Sequence, residues 1–297
     1  MKDKSLVSII MNCYNGEKYL YESIQSIINQ KYKNWELIFW DNKSTDNSAK
    51  IFKSFKDSRL KYFFSDKKTV LYKARNLAIK KAKGEFIAFL DVDDIWSKDK
   101  LSKQIPKFTN KKVGLVYSNF YKYFQKNKKK EIAYKNNLPA GYIAKQIIEK
   151  YQVGFLTVVL RKKFLIKEKV FDFEYDLIAD YDFILNFSKK HYFECINQPL
   201  AFYRIHSNQL QKIEMINQAK QYCRWIKNKN ILKKFREYNL NSIKKKYDYF
   251  QLIKDLDKNK LKIFWKIFKK QDYSNFIKIT ALVFFPNKII YDFIENV

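Results

Sequence analysis

This sequence predicts an α/β domain with a mostly parallel sheet and helices on both faces, and three observations carry that expectation. From Leu6 to about Ser118, short β-branched or aromatic runs alternate with longer segments of helical period. Polar clusters follow directly on three of those runs, at the strand ends where such sheets bind ligands. Beyond about Gln211 the composition turns helical, basic and aromatic, without a β signal, so a domain edge is expected there.

Residues 6–12 are mainly apolar and read as a buried strand; the segment after them puts Leu20, Ile24, Ile27 and Ile28 on one helical face. Residues 35–40 form a second strand, and Ser44, Thr45 and Asp46 offer caps for the helix that follows. Residues 60–64, 85–90 and 113–118 supply three more strands, with helices around 72–82 and 98–108. The lysine-rich run at 126–130 is expected as a surface loop, 155–160 as a strand and 176–190 as a helix. The expected organisation is a catalytic domain over 1–210, with halves at 1–118 and 119–210, and a helical extension over 211–297.

With 46% hydrophobic and 18% aromatic residues the chain is too apolar to be disordered, although its mean hydropathy is −0.49. The 60 Lys and Arg against 30 Asp and Glu give a formal charge of +30, which implies an anionic partner. Arginine occurs only at 59, 75, 161, 204, 224 and 236, so each arginine is more informative than a lysine. Cys13, Cys195 and Cys223 are an odd number with no CxxC or Cys/His ligand spacing, so neither a disulfide framework nor a zinc site is suggested, and a reducing cytosol fits. The N-terminus lacks a signal-peptide core, and no apolar stretch approaches the ~18 residues of a spanning helix. A cytoplasmic protein, peripheral at the inner face of the membrane, is expected.

The acidic stretch Asp91-Val92-Asp93-Asp94 ends an apolar run. Carboxylates so placed can hold a divalent cation and leave positions for phosphate and water; they can equally cap the helix beginning near Ser97. The stretch has ordered company: Val7-Ser8-Ile9-Ile10-Met11-Asn12-Cys13-Tyr14-Asn15, then Trp40-Asp41-Asn42-Lys43-Ser44, then Ala74-Arg75-Asn76 and Lys83-Gly84-Glu85. In order and spacing this set resembles the family 2 glycosyltransferases of the GT-A fold, over roughly residues 5–210.

The resemblance implies inverting transfer of a sugar from a nucleoside diphosphate, most simply a UDP-sugar, with Mn²⁺ or Mg²⁺ as cofactor. It implies nucleotide contacts from Tyr14, stacking on the base, from Asp41 at the base edge, and from Asn15, Arg75 and Asp93, the last on the ribose. Asp94, with Asp93 and His206, is implied for the metal, and Arg204 for the departing diphosphate; Asp91 supports the turn. The family's base matches Leu177-Ile178-Ala179-Asp180-Tyr181-Asp182, which nominates Asp180, with Asp182 or Asp176 in reserve. The segment Tyr203-Arg204-Ile205-His206 matches the family's Tyr-Arg-x-His.

At 261–270 lysines recur at helical spacing beside bulky apolar residues, a basic amphipathic pattern suited to an anionic membrane and to a lipid-linked glycan acceptor. Two other classes compete. A basic nucleic-acid-binding protein fits the charge but not the clustered acids, so no nucleic-acid partner is expected. A haloacid-dehalogenase-like phosphatase shares an Asp-x-Asp after a strand, but carries it on the first strand rather than the fourth.

Overall fold

The computed structural model describes residues 5–165, 170–207, 209 and 214–254. The chain divides into two compact units, Met1–Ile147 with Tyr151–Ile205, and Ile148–Lys150 with His206–Val297. The first unit opens with β1 (Val7–Cys13), α1 (Glu17–Ile28), β2 (Trp35–Asp41), α2 (Ser48–Ser54), β3 (Leu60–Phe64), α3 (Leu71–Lys81) and β4 (Phe86–Phe89). β1 lies parallel to both β2 and β4, and β2 parallel to β3.

Every residue of β1 and β2 is buried, because helices cover both faces of these strands. Val7, Ile9, Met11 and Cys13 join Leu20, Ile24 and Ile27 of α1 and Trp35, Leu37 and Phe39 of β2 in one cluster. Ile10 and Ile38 alternate to the opposite face, on which α3 packs against β1 and β2. Where β4 begins, Gly84 comes so close to the first strand that a Cβ would lie 2.6 Å from the Leu6 carbonyl and the Ser8 nitrogen. The Gly84 N–H donates to Ser8 Oγ, which donates to Glu36 Oε1 on β2.

After β4 the sheet departs from the expected, mostly parallel arrangement. β5 (Ile95–Trp96), α4 (Lys100–Gln104), β6 (Val113–Phe124), β7 (Lys129–Ile132), α5 (Ala144–Glu149), β8 (Val159–Arg161), α6 (Ala179–Ser188) and β9 (Tyr192–Ile205) follow, all within the first unit except the last two residues of α5. β8 runs antiparallel to both β4 and β6, β6 is parallel to β9, and β5 and β7 are antiparallel additions, so the sheet is mixed. The strand order is β3-β2-β1-β4-β8-β6-β9-β5, with β7 on β6.

The helix expected over 98–108 shortens to α4 and continues as a 3₁₀ turn, Ile105–Thr109, because Pro106 cannot donate an α-helical hydrogen bond. The strand expected over 155–160 opens as a 3₁₀ turn, Phe155–Thr157, before β8. The lysine-rich loop is the turn and return strand of a β6–β7 hairpin.

In the second unit, α7 (Met215–Asn228), α8 (Ile231–Lys234) and α9 (Asn241–Lys254) bury Tyr222, Trp225, Ile226, Ile231, Phe235 and Phe250. Tyr222 and Phe250 meet edge to face, with ring centroids 5.0 Å apart. The amphipathic segment at 261–270 lies outside the described residues, among which no helix is long and apolar enough to cross a membrane.

Candidate active site at the carboxyl ends of the strands

β1, β2 and β4 point the same way, so the residues just past their ends share one edge of the sheet. Tyr14 follows β1 and is 44% exposed, its ring available to a ligand, with Lys68 Nζ 3.6 Å from the ring centroid. Asn15 takes a left-handed conformation, φ 53°, which asparagine tolerates. Its Oδ1 accepts from the Thr45 N–H at 2.8 Å, and its own N–H donates to Ser44 Oγ, joining the first two polar loops.

Asp41, at the end of β2, turns inward and is 1% exposed. Its Oδ1 accepts from the Ser44 N–H at 2.7 Å and its Oδ2 from the Tyr62 hydroxyl at 2.6 Å. A base-edge contact by Asp41 must therefore use remaining lone pairs or displace Tyr62 or Ser44. Tyr62 was not anticipated from the sequence; its phenol is pushed up by burial and then by the hydrogen bond to Asp41.

The acidic turn after β4 is held from three sides. On α1, Ser23 Oγ donates to the Val92 and Asp94 carbonyls at 2.7 and 2.6 Å. On α3, Arg75, 2% exposed, pairs with Asp91 and lies over the Tyr72 and Phe155 rings at 4.6 and 5.1 Å. Burial works against the Arg75 charge, but Asp91, Tyr72 and Asp180 more than offset it and raise its pKa.

On β9, the Arg204 N–H donates to Asp94 Oδ1 at 2.9 Å and its Nε to the Asp93 carbonyl at 2.7 Å. Its remaining guanidinium nitrogens bond Gln125, just past the end of β6, and Glu22 on α1. The structure thus gives Arg204 a different occupation from the diphosphate contact expected: it is 1% exposed and clamps the turn that carries Asp93 and Asp94. Glu22 and Gln125 were also missed, since nothing in the sequence links them to Arg204.

Asp94 is 3% exposed. Burial, then the Asp93 and Asp91 carboxylates, push its proton affinity well above the ordinary range, against the smaller opposing pull of Arg204. Crowded carboxylates of this kind are relieved by a hard cation, so the donor chemistry fits a divalent metal. No group of three or more His, Cys, Asp or Glu side chains able to hold a metal ion occurs among the described residues, so phosphate or water oxygens must complete any such shell. His206 begins the second unit, where its N–H donates to Gln209 Oε1 at 3.3 Å.

Asp180 lies in the first turn of α6, and its Oδ1 accepts from the Tyr181 N–H at 2.8 Å. Burial raises its proton affinity; that hydrogen bond and the Arg75 charge lower it, and Asp91 raises it. The same burial and the Asp180 charge raise Tyr72 and Tyr151, so α6 brings its acid beside two phenols and the Arg75–Asp91 pair. The two reserve acids are engaged elsewhere. Asp176 accepts from the Leu71 and Tyr72 N–H groups at the start of α3, and Asp182 Oδ1 accepts from Asn186 Nδ2.

The profile of glycosyl transferase family 2 matches residues 8–167. A curated relative from Escherichia coli, UDP-Glc:alpha-D-GlcNAc-diphosphoundecaprenol beta-1,3-glucosyltransferase WfgD, is 35% identical over 201 residues, 66% of this chain and 74% of the relative. A second E. coli enzyme, WfaP, is 43% identical over 116 residues, and the match spans only 46% of its length. Among solved structures, S. aureus TarS 1-349 in complex with UDP superposes with a TM-score of 0.55 at 16% identity, covering 94% of this chain and 80% of that 1-349 chain. The mannosyltransferase PcManGT from Pyrobaculum calidifontis, in complex with GDP-Man and Mn2+, gives 0.57 at 14%, covering 98% and 78%. At these identities the structural likenesses speak for the fold.

Proposed function

Since this chain belongs to glycosyl transferase family 2, we propose that it moves a sugar with inversion from a nucleoside diphosphate to an acceptor hydroxyl, with a divalent cation on the diphosphate. The chain is a glycosyltransferase of GT-A fold; the metal, the stereochemistry and the substrates are the proposal. Family membership also removes the nucleic-acid-binding and phosphatase readings. The observation that carries the proposal is the union of base and donor sides: Asp180 on α6 and Asp91 on the acidic turn both act on the buried Arg75.

In this reading the nucleobase lies on Tyr14 beside the Asn15–Ser44 loops, Asp93 holds the ribose, and Arg75 adds charge on the donor side. Asp94 and Asp93 would hold the cation, with phosphate or water oxygens completing its shell; the cation, when bound, offsets charge developing on the diphosphate. Arg204 acts on the diphosphate through the turn it fixes. Asp180 takes the acceptor hydroxyl's proton as that oxygen attacks the anomeric carbon, and the bond to the diphosphate breaks with its electron pair leaving on the diphosphate. A raised proton affinity strengthens Asp180 as a base.

The name of the E. coli relative couples UDP-glucose to a diphosphoundecaprenol-linked acceptor, which supports a UDP-sugar donor and a lipid-linked glycan acceptor at the inner membrane face. The test is Asp180→Asn in transfer and donor-binding assays. Transfer should fall by about 10²-fold or more with donor affinity unchanged, as for removal of a general base. Equal loss of donor binding would remove Asp180 from that role.

A further inference from the structure

The lysine-rich hairpin has a defined place relative to the acidic turn. β4 and β6 are each antiparallel to β8, so β6 runs in the direction of β4 and ends at the same edge of the sheet. Val116 on β6 is level with Val159 on β8, which is level with Ala88 on β4. β4 stops one residue later at Phe89, whereas β6 continues to Phe124. Near its end Tyr123 pairs with Arg204, the residue whose N–H bonds Asp94, so this rung of the ladder is level with the acidic turn.

Beyond that rung the chain turns through Lys126, Asn127 and Lys128, with Lys128 at φ 57°, and returns as β7 with Lys129 and Lys130. The tip therefore protrudes on the order of 10 Å past the acidic turn, at ~3.3 Å per strand residue. Every residue from Lys126 to Ile132 is exposed, Ile132 at 41%. Four of the five residues at 126–130 are lysines, and the first acid is Glu131, paired with Lys129. Protection of an open sheet edge accounts for lysine on β7 but not for Lys126 and Lys128 in the turn.

We propose that the tip of the β6–β7 hairpin is a docking surface for an anionic phospholipid bilayer. It rests on the lipid-linked acceptor read above, and it explains the height of the site. An acceptor sugar carried on a lipid diphosphate stands just outside the headgroups, and a tip seated on those headgroups holds the Asp91–Asp94 turn at that distance. Lysines near an anionic surface each contribute about 1 kcal/mol, enough for four of them to orient the catalytic unit.

The test uses the full chain and its Lys126→Gln/Lys128→Gln/Lys129→Gln/Lys130→Gln variant, sedimented with mixed phosphatidylglycerol–phosphatidylcholine vesicles and with phosphatidylcholine alone. A charge-matched control carries Lys50→Gln, Lys56→Gln, Lys61→Gln and Lys80→Gln, all at exposed positions. The expected result is at least about tenfold weaker partition of the hairpin variant onto the anionic vesicles, with the control close to wild type. Equal partition of hairpin variant and wild type, or equal weakening in both variants, overturns the assignment. Binding of UDP in the presence of Mn²⁺ should be the same in hairpin variant and wild type. Its absence from wild type counts against the proposed function, and the vesicle comparison still decides the docking surface.

Discussion

The Asp180 carboxyl feels burial upward and Arg75 downward, and burial wins. A base works only when ionised, so a raised pKa moves the acid limb of kcat/KM upward. That limb should fall above the ordinary aspartate value of about 3.9, and a limb at or below it would exclude Asp180 as the base. The residue types of the site were legible because strand ends collect polar clusters, but their partners were not. Asp41 is held by Tyr62, 21 residues away; Asp176 caps α3 from 104 and 105 residues away; Glu22 reaches Arg204 across 182. Such pairings depend on how strands are ordered in the sheet, which local pattern does not encode.

Elements with continuous apolar runs, β1, β2 and β4, could be read from pattern alone, since burial on both faces leaves an unmistakable composition. β9 could not. It carries Pro199, and pairing with β6 jumps from Ser118–Ile196 to Asn119–Pro199, so two residues bulge out and the alternation is broken. β5, two residues long, is defined only by its partner on β9. The close approach at Gly84 belongs to this scale: Gly84→Ala drives a methyl group into backbone atoms of residues 6 and 8. The variant should lose ~2 kcal/mol or more in denaturant unfolding, in the range for overpacking, and an unchanged midpoint would show that the strands can part without cost.

At the scale of the molecule, three acids, Asp91, Asp93 and Asp94, follow β4 within four residues in a chain with a formal charge of +30. The α/β class followed from the alternation of runs, and the GT-A fold and family from the ordered motif set. The mixed second half of the sheet did not, because β8 inserts between β4 and β6 out of sequence order. The central claim is that the acidic turn binds a nucleoside diphosphate through a divalent cation. Calorimetric titration of UDP into wild type and Asp94→Asn, each with and without Mn²⁺, tests it most directly. Wild type should bind one equivalent only when Mn²⁺ is present, and Asp94→Asn should bind at least about 10²-fold more weakly, the scale of losing one partner of a buried charged contact. Equal affinity in the variant, or binding by wild type indifferent to Mn²⁺, would contradict it.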